Sequence, residues 1–142
     1  MVGIMIRSIL KEEINYVGKK ELFNPLTSWF FKGLGGAPLN RKGNQNVVEG
    51  IVNIYDNRIT FRLAIAPEGT RKPVTDWKSG FYYIAKGAKI PIQLVAFDYS
   101  KRIIKFYPLF TPTDNVEQDF IKMKNYFKGV KGKIPANGIF NL

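Results

Sequence analysis

Apolar, β-prone runs alternate along this chain with segments of helical periodicity, and this alternation most constrains the fold. Ile59–Ala66 ends in a continuous apolar run and Ile90–Phe97 is largely apolar, which is typical of strands buried on both faces. Asn46–Tyr55 carries apolar residues at helical spacing, as does the segment that begins at Asp114. Strands that alternate with helices indicate an α/β fold: one layered domain with a largely parallel sheet flanked by helices.

The remaining segments complete this prediction. Further strands are expected at Asn15–Glu21 and Arg102–Tyr107, and further helices at Pro25–Leu34 and Ser79–Lys86. Asp114 with Glu117 three residues on predicts a capping box for the last helix. A length of 142 residues fits one domain, 1–142, in which we expect residues 132–142 to form a frayed tail.

Composition narrows the classes of function. The chain has 22 lysines and arginines against 11 acidic residues, and its net charge of +11 predicts anionic partners: nucleic acid, acidic lipid, phosphate esters or a nucleotide-bearing cofactor. It has no cysteine, which excludes disulfides and thiolate chemistry, and we predict no metal site. The apolar runs are too short to span a bilayer and no signal peptide is evident, which predicts a cytoplasmic or membrane-surface location.

The segment Glu68-Gly69-Thr70-Arg71 follows directly on the first predicted buried strand. Ligands of open α/β sheets bind outside the carboxyl ends of strands. Gly69 allows the backbone to approach a ligand closely, and Arg71 offers a planar fork of donors suited to phosphate. Glu68 could orient Arg71 or contact a hydroxyl. The alternative is a charged surface turn, which these four residues alone do not exclude.

Three other segments accompany this one in order along the chain. They are Gly36-Ala37-Pro38-Leu39-Asn40-Arg41, Trp77-Lys78-Ser79-Gly80 and Ile90-Pro91-Ile92. Together with Glu68–Arg71 they resemble the motifs of the glycerolipid acyltransferase family, the PlsC type that acylates lysophosphatidate. The resemblance covers nearly the whole chain. Asn40 stands where the family commonly has aspartate.

The resemblance implies an acyltransferase-like fold and a reaction of phospholipid biosynthesis. A fatty acyl group would pass from an acyl thioester, acyl-CoA or acyl carrier protein, to 1-acylglycerol-3-phosphate or a similar lysolipid. It implies that Arg41 and Arg71 hold the acceptor's phosphate while Glu68, Gly69 and Thr70 shape the site. Lys78 either contacts the phosphate at a helix N-terminus or is a solvated lysine.

The resemblance also implies the cofactors, the binding partners and the location of the protein. No metal or bound cofactor is expected. The expected partners are the lysophosphatidate-like acceptor, the acyl thioester donor and an anionic membrane surface, to which the protein would be peripheral on the cytoplasmic side. Nucleic acid is not expected, because the chain lacks RRM-like aromatic signatures and zinc-finger spacing.

The family's catalytic histidine has no counterpart in this sequence. The family uses the histidine of an H-x-x-x-x-D motif as its base, because the pKa of histidine lies near neutrality, and this chain has no histidine. Val2–Arg7 resembles the helix that follows that motif, so we expect the motif and the first strand to precede Met1. Three explanations stay open: a start codon placed too late, a truncated or fragmented gene, or a relative that binds without transferring.

Overall fold

The computed structural model describes residues 11, 13–19, 35–39, 46–69 and 74–133. The chain divides after Ile65 into two compact units, Met1–Ile65 and Ala66–Leu142. The expectation of a single domain stays a prediction. The predicted helix Pro25–Leu34 lies outside the described residues, as do the first ten residues and most of the predicted tail.

Parallel pairing occurs in the first unit. Strand β1, Tyr16–Lys19, pairs in parallel with strand β2, Gly36–Leu39, with Tyr16 opposite Gly36. Just ahead of β1, Asn15 forms a parallel bridge with Leu63. The three segments therefore run in the same direction. The predicted strand at Asn15 is confirmed, whereas a layered parallel sheet is not seen among the described residues.

Helix α1, Val47–Asp56, confirms the helix predicted at Asn46–Tyr55. Asn46 caps it, because its side-chain oxygen accepts a hydrogen bond of 3.1 Å from the backbone N–H of Val48. Ile51 is buried, and the ring of Tyr55 meets the ring of Phe61 edge-on at 4.8 Å. The Tyr55 hydroxyl also accepts a hydrogen bond from the N–H of Leu63, 3.3 Å away, which ties the helix to the segment that follows it.

The prediction of a doubly buried strand at Ile59–Ala66 is wrong. Ile59 is fully exposed, and within the segment only Phe61 is buried. Leu63 supplies the segment's one ladder contact in the described structure, its bridge to Asn15. The apolar run reflects the anchoring of a single ring against α1 rather than cover on both faces, and composition alone does not distinguish these two environments.

The second unit is an antiparallel hairpin with two helices. Strand β3, Ile92–Asp98, pairs antiparallel with strand β4, Ile103–Phe110, and the register shifts between Gln93 and Val95. Helix α2 is Gly80–Gly87 and helix α3 is Val116–Asn125. The core of this unit consists of Trp77, Tyr82, Leu94 and Met123, with partly buried apolar residues packed around them.

The hairpin corrects two predictions. The strand predicted at Ile90–Phe97 exists as β3, but burial alternates along it, with Leu94, Ala96 and Asp98 buried and the residues between them only half-buried. One face therefore meets the core, as in antiparallel sheets. Only four residues join β3 to β4, and such a connection reverses the chain, because parallel neighbours need a long crossover. The expectation of a largely parallel sheet fails here for this reason.

The two helices of the second unit lie where the sequence predicts them. Helix α2 matches the prediction at Ser79–Lys86 to within a residue. The cap of α3 is shifted by one residue from the prediction, because Asn115, not Asp114, accepts the hydrogen bond from the N–H of Gln118 at 3.1 Å. Asp114 instead forms an ion pair with Lys86 at 2.9 Å. Within the described ranges, no helix is long and apolar enough to cross a membrane.

Candidate functional site

A tight turn forms where the Glu68-Gly69 motif begins. The N–H of Gly69 donates to the carbonyl of Ala66 at 3.1 Å, which closes a turn with Pro67 and Glu68 in its middle. Gly69 has a φ of +63°, a left-handed conformation that glycine adopts at little cost. The carbonyl of Pro67 accepts a hydrogen bond of 2.9 Å from the N–H of Lys78. The turn is therefore attached directly to the segment ahead of α2.

The side chain of Lys78 lies over the backbone of Gly69. A Cβ added at Gly69 would lie 3.1 Å from both Nζ and Cδ of Lys78 and 3.2 Å from its Cε. These distances are shorter than ordinary van der Waals contacts, so the lysine occupies the space that any larger residue at this position would need. The structure thus brings together two predicted site residues that are nine positions apart.

The ammonium group of Lys78 is available to a ligand. Lys78 is exposed, and within the described part of the chain its Nζ makes no hydrogen bond or ion pair. Glu68, half-buried in the turn, likewise has no side-chain partner among the described residues. A cation without a carboxylate partner beside a glycine turn is suited to an anionic oxygen. The predicted site residues Arg41, Thr70 and Arg71 lie outside the described residues.

The residues immediately before Lys78 hold it in place. The N–H of Trp77 donates to Oδ1 of Asp76 at 2.7 Å, and the same oxygen lies 2.6 Å from Nζ of Lys124 on α3. The hydrogen bond from Lys124 lowers the pKa of Asp76. The indole of Trp77 is buried and meets the ring of Phe127 edge-on at 5.2 Å. Lys78 therefore projects from a backbone that is anchored to both the turn and the core.

A buried polar cluster links the helices of this unit. Oδ2 of Asp119 lies 2.9 Å from the hydroxyl of Tyr82 and accepts a hydrogen bond of 2.6 Å from the N–H of Thr113. The same hydroxyl lies 2.8 Å from the carbonyl of Thr113. Burial, with help from Asp119, raises the pKa of Tyr82 to about 12. Burial alone would raise the pKa of Asp119, but the hydrogen bonds from Thr113 and Tyr82 outweigh it and hold that pKa below its ordinary value.

The sequence pattern did not predict this cluster. Asp119 falls between Val116 and Met123 at helical spacing, so a carboxylate on the apolar face of α3 was the available signal. Such a carboxylate requires buried donors, because an uncompensated charge in the core is costly. In the described ranges no group of acidic residues is arranged to hold a metal ion.

Comparison with protein families assigns the sequence to a family. A family model described as Acyltransferase matches residues 3–98, more than half of the chain. The chain belongs to the acyltransferase family. No curated protein and no solved structure gives a match. The family match includes the turn at Gly69 and Lys78, whereas Asp119 lies beyond it. Membership in this family supports a general acyltransferase function, which is the transfer of an acyl group from a donor to an acceptor.

Proposed function

We propose that this acyltransferase is of the PlsC glycerolipid type and acts in phospholipid biosynthesis. Its acceptor is 1-acylglycerol-3-phosphate or a similar lysolipid, and its donor is acyl-CoA or acyl carrier protein. The protein works at an anionic membrane surface on the cytoplasmic side. The proposed reaction uses no metal and no bound cofactor.

The observation that carries the proposal is the position of Lys78 over the Gly69 turn. The acceptor differs from a neutral lipid alcohol by its phosphate, so its site needs cations that are not already paired. Lys78 meets this requirement among the described residues. The net charge of +11 further favours an anionic substrate on an anionic surface. By the family resemblance, the proposal also assigns the acceptor's phosphate to Arg41 and Arg71 and the shape of the site to Glu68, Gly69 and Thr70.

Acyl transfer also requires a base that these 142 residues do not supply. The acceptor hydroxyl attacks the thioester carbonyl, its proton must go to a base, and the thiolate leaves as the ester forms. The sequence has no histidine, and lysine is protonated at neutral pH unless it is buried. The proposed role of the described residues is therefore to bind and orient the phosphate, which fixes the hydroxyl relative to the thioester.

Lysophosphatidate binding to the purified chain tests the phosphate site. We expect Lys78→Ala to weaken binding by about tenfold or more, because one charge-assisted hydrogen bond is lost. Lys128→Ala removes the same charge from an exposed position three residues beyond the end of α3 and should leave the affinity unchanged. Arg41→Ala and Arg71→Ala should each weaken binding as well. Equal losses of affinity in the two lysine variants would mean that the overall positive charge attracts lysophosphatidate and that Lys78 forms no specific contact with it.

The second candidate is a relative that binds anionic lipid and does not transfer acyl groups. The absence of histidine from the sequence favours it. The two functions can be distinguished by extending the chain at its N-terminus with a segment that carries the H-x-x-x-x-D motif. Release of free thiol from acyl-CoA in the presence of lysophosphatidate would support the enzyme. Sedimentation with anionic liposomes but no thiol release from the extended chain would support the binding protein.

A further inference from the structure

The turn between β3 and β4 exposes positive charge on the second unit. Residues 99–102 join the two strands, and Asp98 lies opposite Ile103 at the base of the turn. Lys101 and Arg102 are both exposed in it. Between positions 93 and 113 the sequence has one acidic residue, Asp98, and its side chain is fully buried. The turn therefore presents two cations with no exposed acid among them.

The segment that follows α3 adds two more cations beside this turn. The N–H of Tyr99 donates to the carbonyl of Lys131 at 2.9 Å, which attaches the segment to the turn. Lys131 and Lys133 are exposed, and the sequence has no acidic residue after Asp119. Nζ of Lys101 lies 3.9 Å from the buried carboxylate of Asp98, but its side chain is 62% exposed and remains open to solvent.

Exposed apolar side chains lie among these cations. Tyr99 is 50% exposed and Ile103 is 42% exposed, on either side of the two basic residues of the turn. Aromatic, aliphatic and basic side chains on one surface are typical of proteins that enter the headgroup region of a membrane. We call this surface the hairpin tip, and it consists of Tyr99, Lys101, Arg102, Ile103, Lys131 and Lys133.

The opposite end of the same hairpin differs in charge. Strand β4 ends at Phe110, and the exposed acids Asp114 and Glu117 follow at the start of α3. Lys86, which lies at that end, is already paired with Asp114 at 2.9 Å. The second unit therefore carries its exposed acids at one end of β4 and a group of cations at the other. An anionic surface attracts the hairpin tip and repels the acidic end.

We propose that the hairpin tip is the surface through which this protein binds an anionic lipid bilayer. The proposal rests on the function proposed above, in which the protein works at an anionic membrane, and it names the surface that makes the contact. The cations bind lipid phosphates, while Tyr99 and Ile103 enter the headgroup region. The exposed aliphatic side chain favours a bilayer over a nucleic acid, because a nucleic acid attracts the cations but offers no apolar layer.

Sedimentation with lipid vesicles tests the role of the charges. The vesicles contain phosphatidylcholine and phosphatidylglycerol in equal parts, and vesicles of phosphatidylcholine alone should bind much less protein. We expect Lys131→Gln and Lys133→Gln each to weaken binding to the anionic vesicles about fivefold, the effect of one basic residue near such a surface. Lys89→Gln removes the same charge from an exposed position ahead of β3, where distance and salt screen it, and binding should not change. Equal losses in the three variants would overturn the proposal.

Two substitutions on β4 test the role of the apolar side chains. Ile103→Ser should weaken binding to the anionic vesicles about tenfold, because its apolar surface no longer enters the headgroup region. Leu109→Ser makes a similar change near the other end of the strand, where the side chain is 64% exposed, and binding should not change. Unchanged binding by Ile103→Ser would overturn the insertion of the hairpin tip into the bilayer.

Chemical labelling of the unchanged protein gives a test that does not depend on a variant's folding. An amine-reactive reagent modifies exposed lysines, and mass spectrometry measures the extent of reaction at each one. We expect anionic vesicles to slow the labelling of Lys131 and Lys133 and to leave that of Lys89 unchanged. Equal slowing at all three lysines, or slowing at none of them, would overturn the proposal.

Two further measurements separate the hairpin tip from other proposals. If Lys131→Gln weakens binding to single-stranded RNA but not to anionic vesicles, the surface binds nucleic acid and the proposal is overturned. The vesicles contain no lysophosphatidate, so their binding does not depend on the site at Lys78. Vesicle binding through the hairpin tip without lysophosphatidate binding rejects the acceptor site and supports the tip. Lysophosphatidate binding without vesicle binding rejects the tip alone.

Discussion

The hydroxyl of Tyr82 lies 2.9 Å from Oδ2 of Asp119, and neither residue exposes more than a trace of its surface. The contact joins α2 to α3 through the core of the second unit. A neutral phenol and an ionised carboxylate form a complementary pair. Burial, together with this contact, raises the pKa of Tyr82, and the hydrogen bonds from Thr113 and Tyr82 hold the pKa of Asp119 below its ordinary value.

Removing the hydroxyl should destabilise the second unit. Tyr82→Phe deprives Asp119 of a hydrogen-bond donor in a buried site, so we expect the free energy of unfolding in urea to fall by about 1–3 kcal/mol. Tyr83→Phe is the matched control, since Tyr83 is 45% exposed. It should change stability by less than about 0.5 kcal/mol. Similar losses in the two variants would show that the buried contact contributes little.

The same tyrosine should make the protein sensitive to alkali. Its pKa is about 12 in the native state, against an ordinary value of 10.0. Between these values the unfolded chain releases a proton that the native protein keeps, so the free energy of unfolding should decrease as pH rises through this window. Chemical denaturation at several alkaline pH values measures the slope. The slope should be shallower in Tyr82→Phe than in Tyr83→Phe, and identical slopes would contradict the assignment.

Asp98 should contribute to sensitivity to acid. The Ser100 hydroxyl donates to Oδ1 of Asp98 at 2.6 Å, and this hydrogen bond lowers the pKa of the buried carboxyl. A lowered native pKa gives stability that is present above the unfolded value, near 4, and is lost as pH falls through the native value. Ser100→Ala should therefore destabilise the protein at neutral pH and raise the midpoint of acid unfolding. Ser79→Ala, at a cap without a side-chain hydrogen bond, should do neither.

Alanine at Gly69 should damage binding as well as stability. Gly69 and Gly129 both have positive φ, +63° and +76°, so alanine at either costs about 1–2 kcal/mol. A Cβ at Gly129 meets nothing within 4 Å, whereas one at Gly69 meets Lys78. We therefore expect lysophosphatidate affinity to fall in Gly69→Ala and to stay unchanged in Gly129→Ala. Equal affinities would show that Lys78 moves aside without consequence for the ligand.

Truncation of the core should have a much larger effect than truncation of the surface of the same helix. Met123 is fully buried, so Met123→Ala should lower the free energy of unfolding by about 2–5 kcal/mol. Ile121, two residues earlier on α3, is 60% exposed. Ile121→Ala should cost less than about 1 kcal/mol in the same denaturation experiment. A small loss in the Met123 variant would mean that the unit repacks around the cavity.

Local signals predicted the described helices well. Asn46 caps α1 as its side-chain chemistry suggests, and Gly87 ends α2. The shift of the last cap from Asp114 to Asn115 shows the limit of such signals. Both residues are good caps, and Asp114 is instead paired with Lys86, a residue 28 positions away. Contacts between residues so far apart in the sequence cannot be predicted from the local sequence pattern.

Strand environments were predicted less well, for a related reason. An apolar run predicts burial but does not say what covers it, so Ile59–Ala66 and β3 were both expected to be covered on two faces. Of the site, the sequence predicted Gly69 and Lys78 as separate candidates. Their contact depends on the turn hydrogen bonds, and the partners of Asp119, Tyr82 and Thr113, come from other segments of the chain. These relationships arise only when the chain folds back on itself.

The buried indole of Trp77 lies beside the candidate site, so its fluorescence can report ligand binding there. Trp77 is one of two tryptophans in the chain, and its backbone continues directly into Lys78. Its emission should be blue-shifted, since the ring lies among aromatic side chains, and a ligand drawn to the adjacent ammonium would perturb it. In a Trp29→Phe background the entire tryptophan signal originates one residue from the proposed phosphate contact. Occupancy of that contact can then be followed without an attached dye.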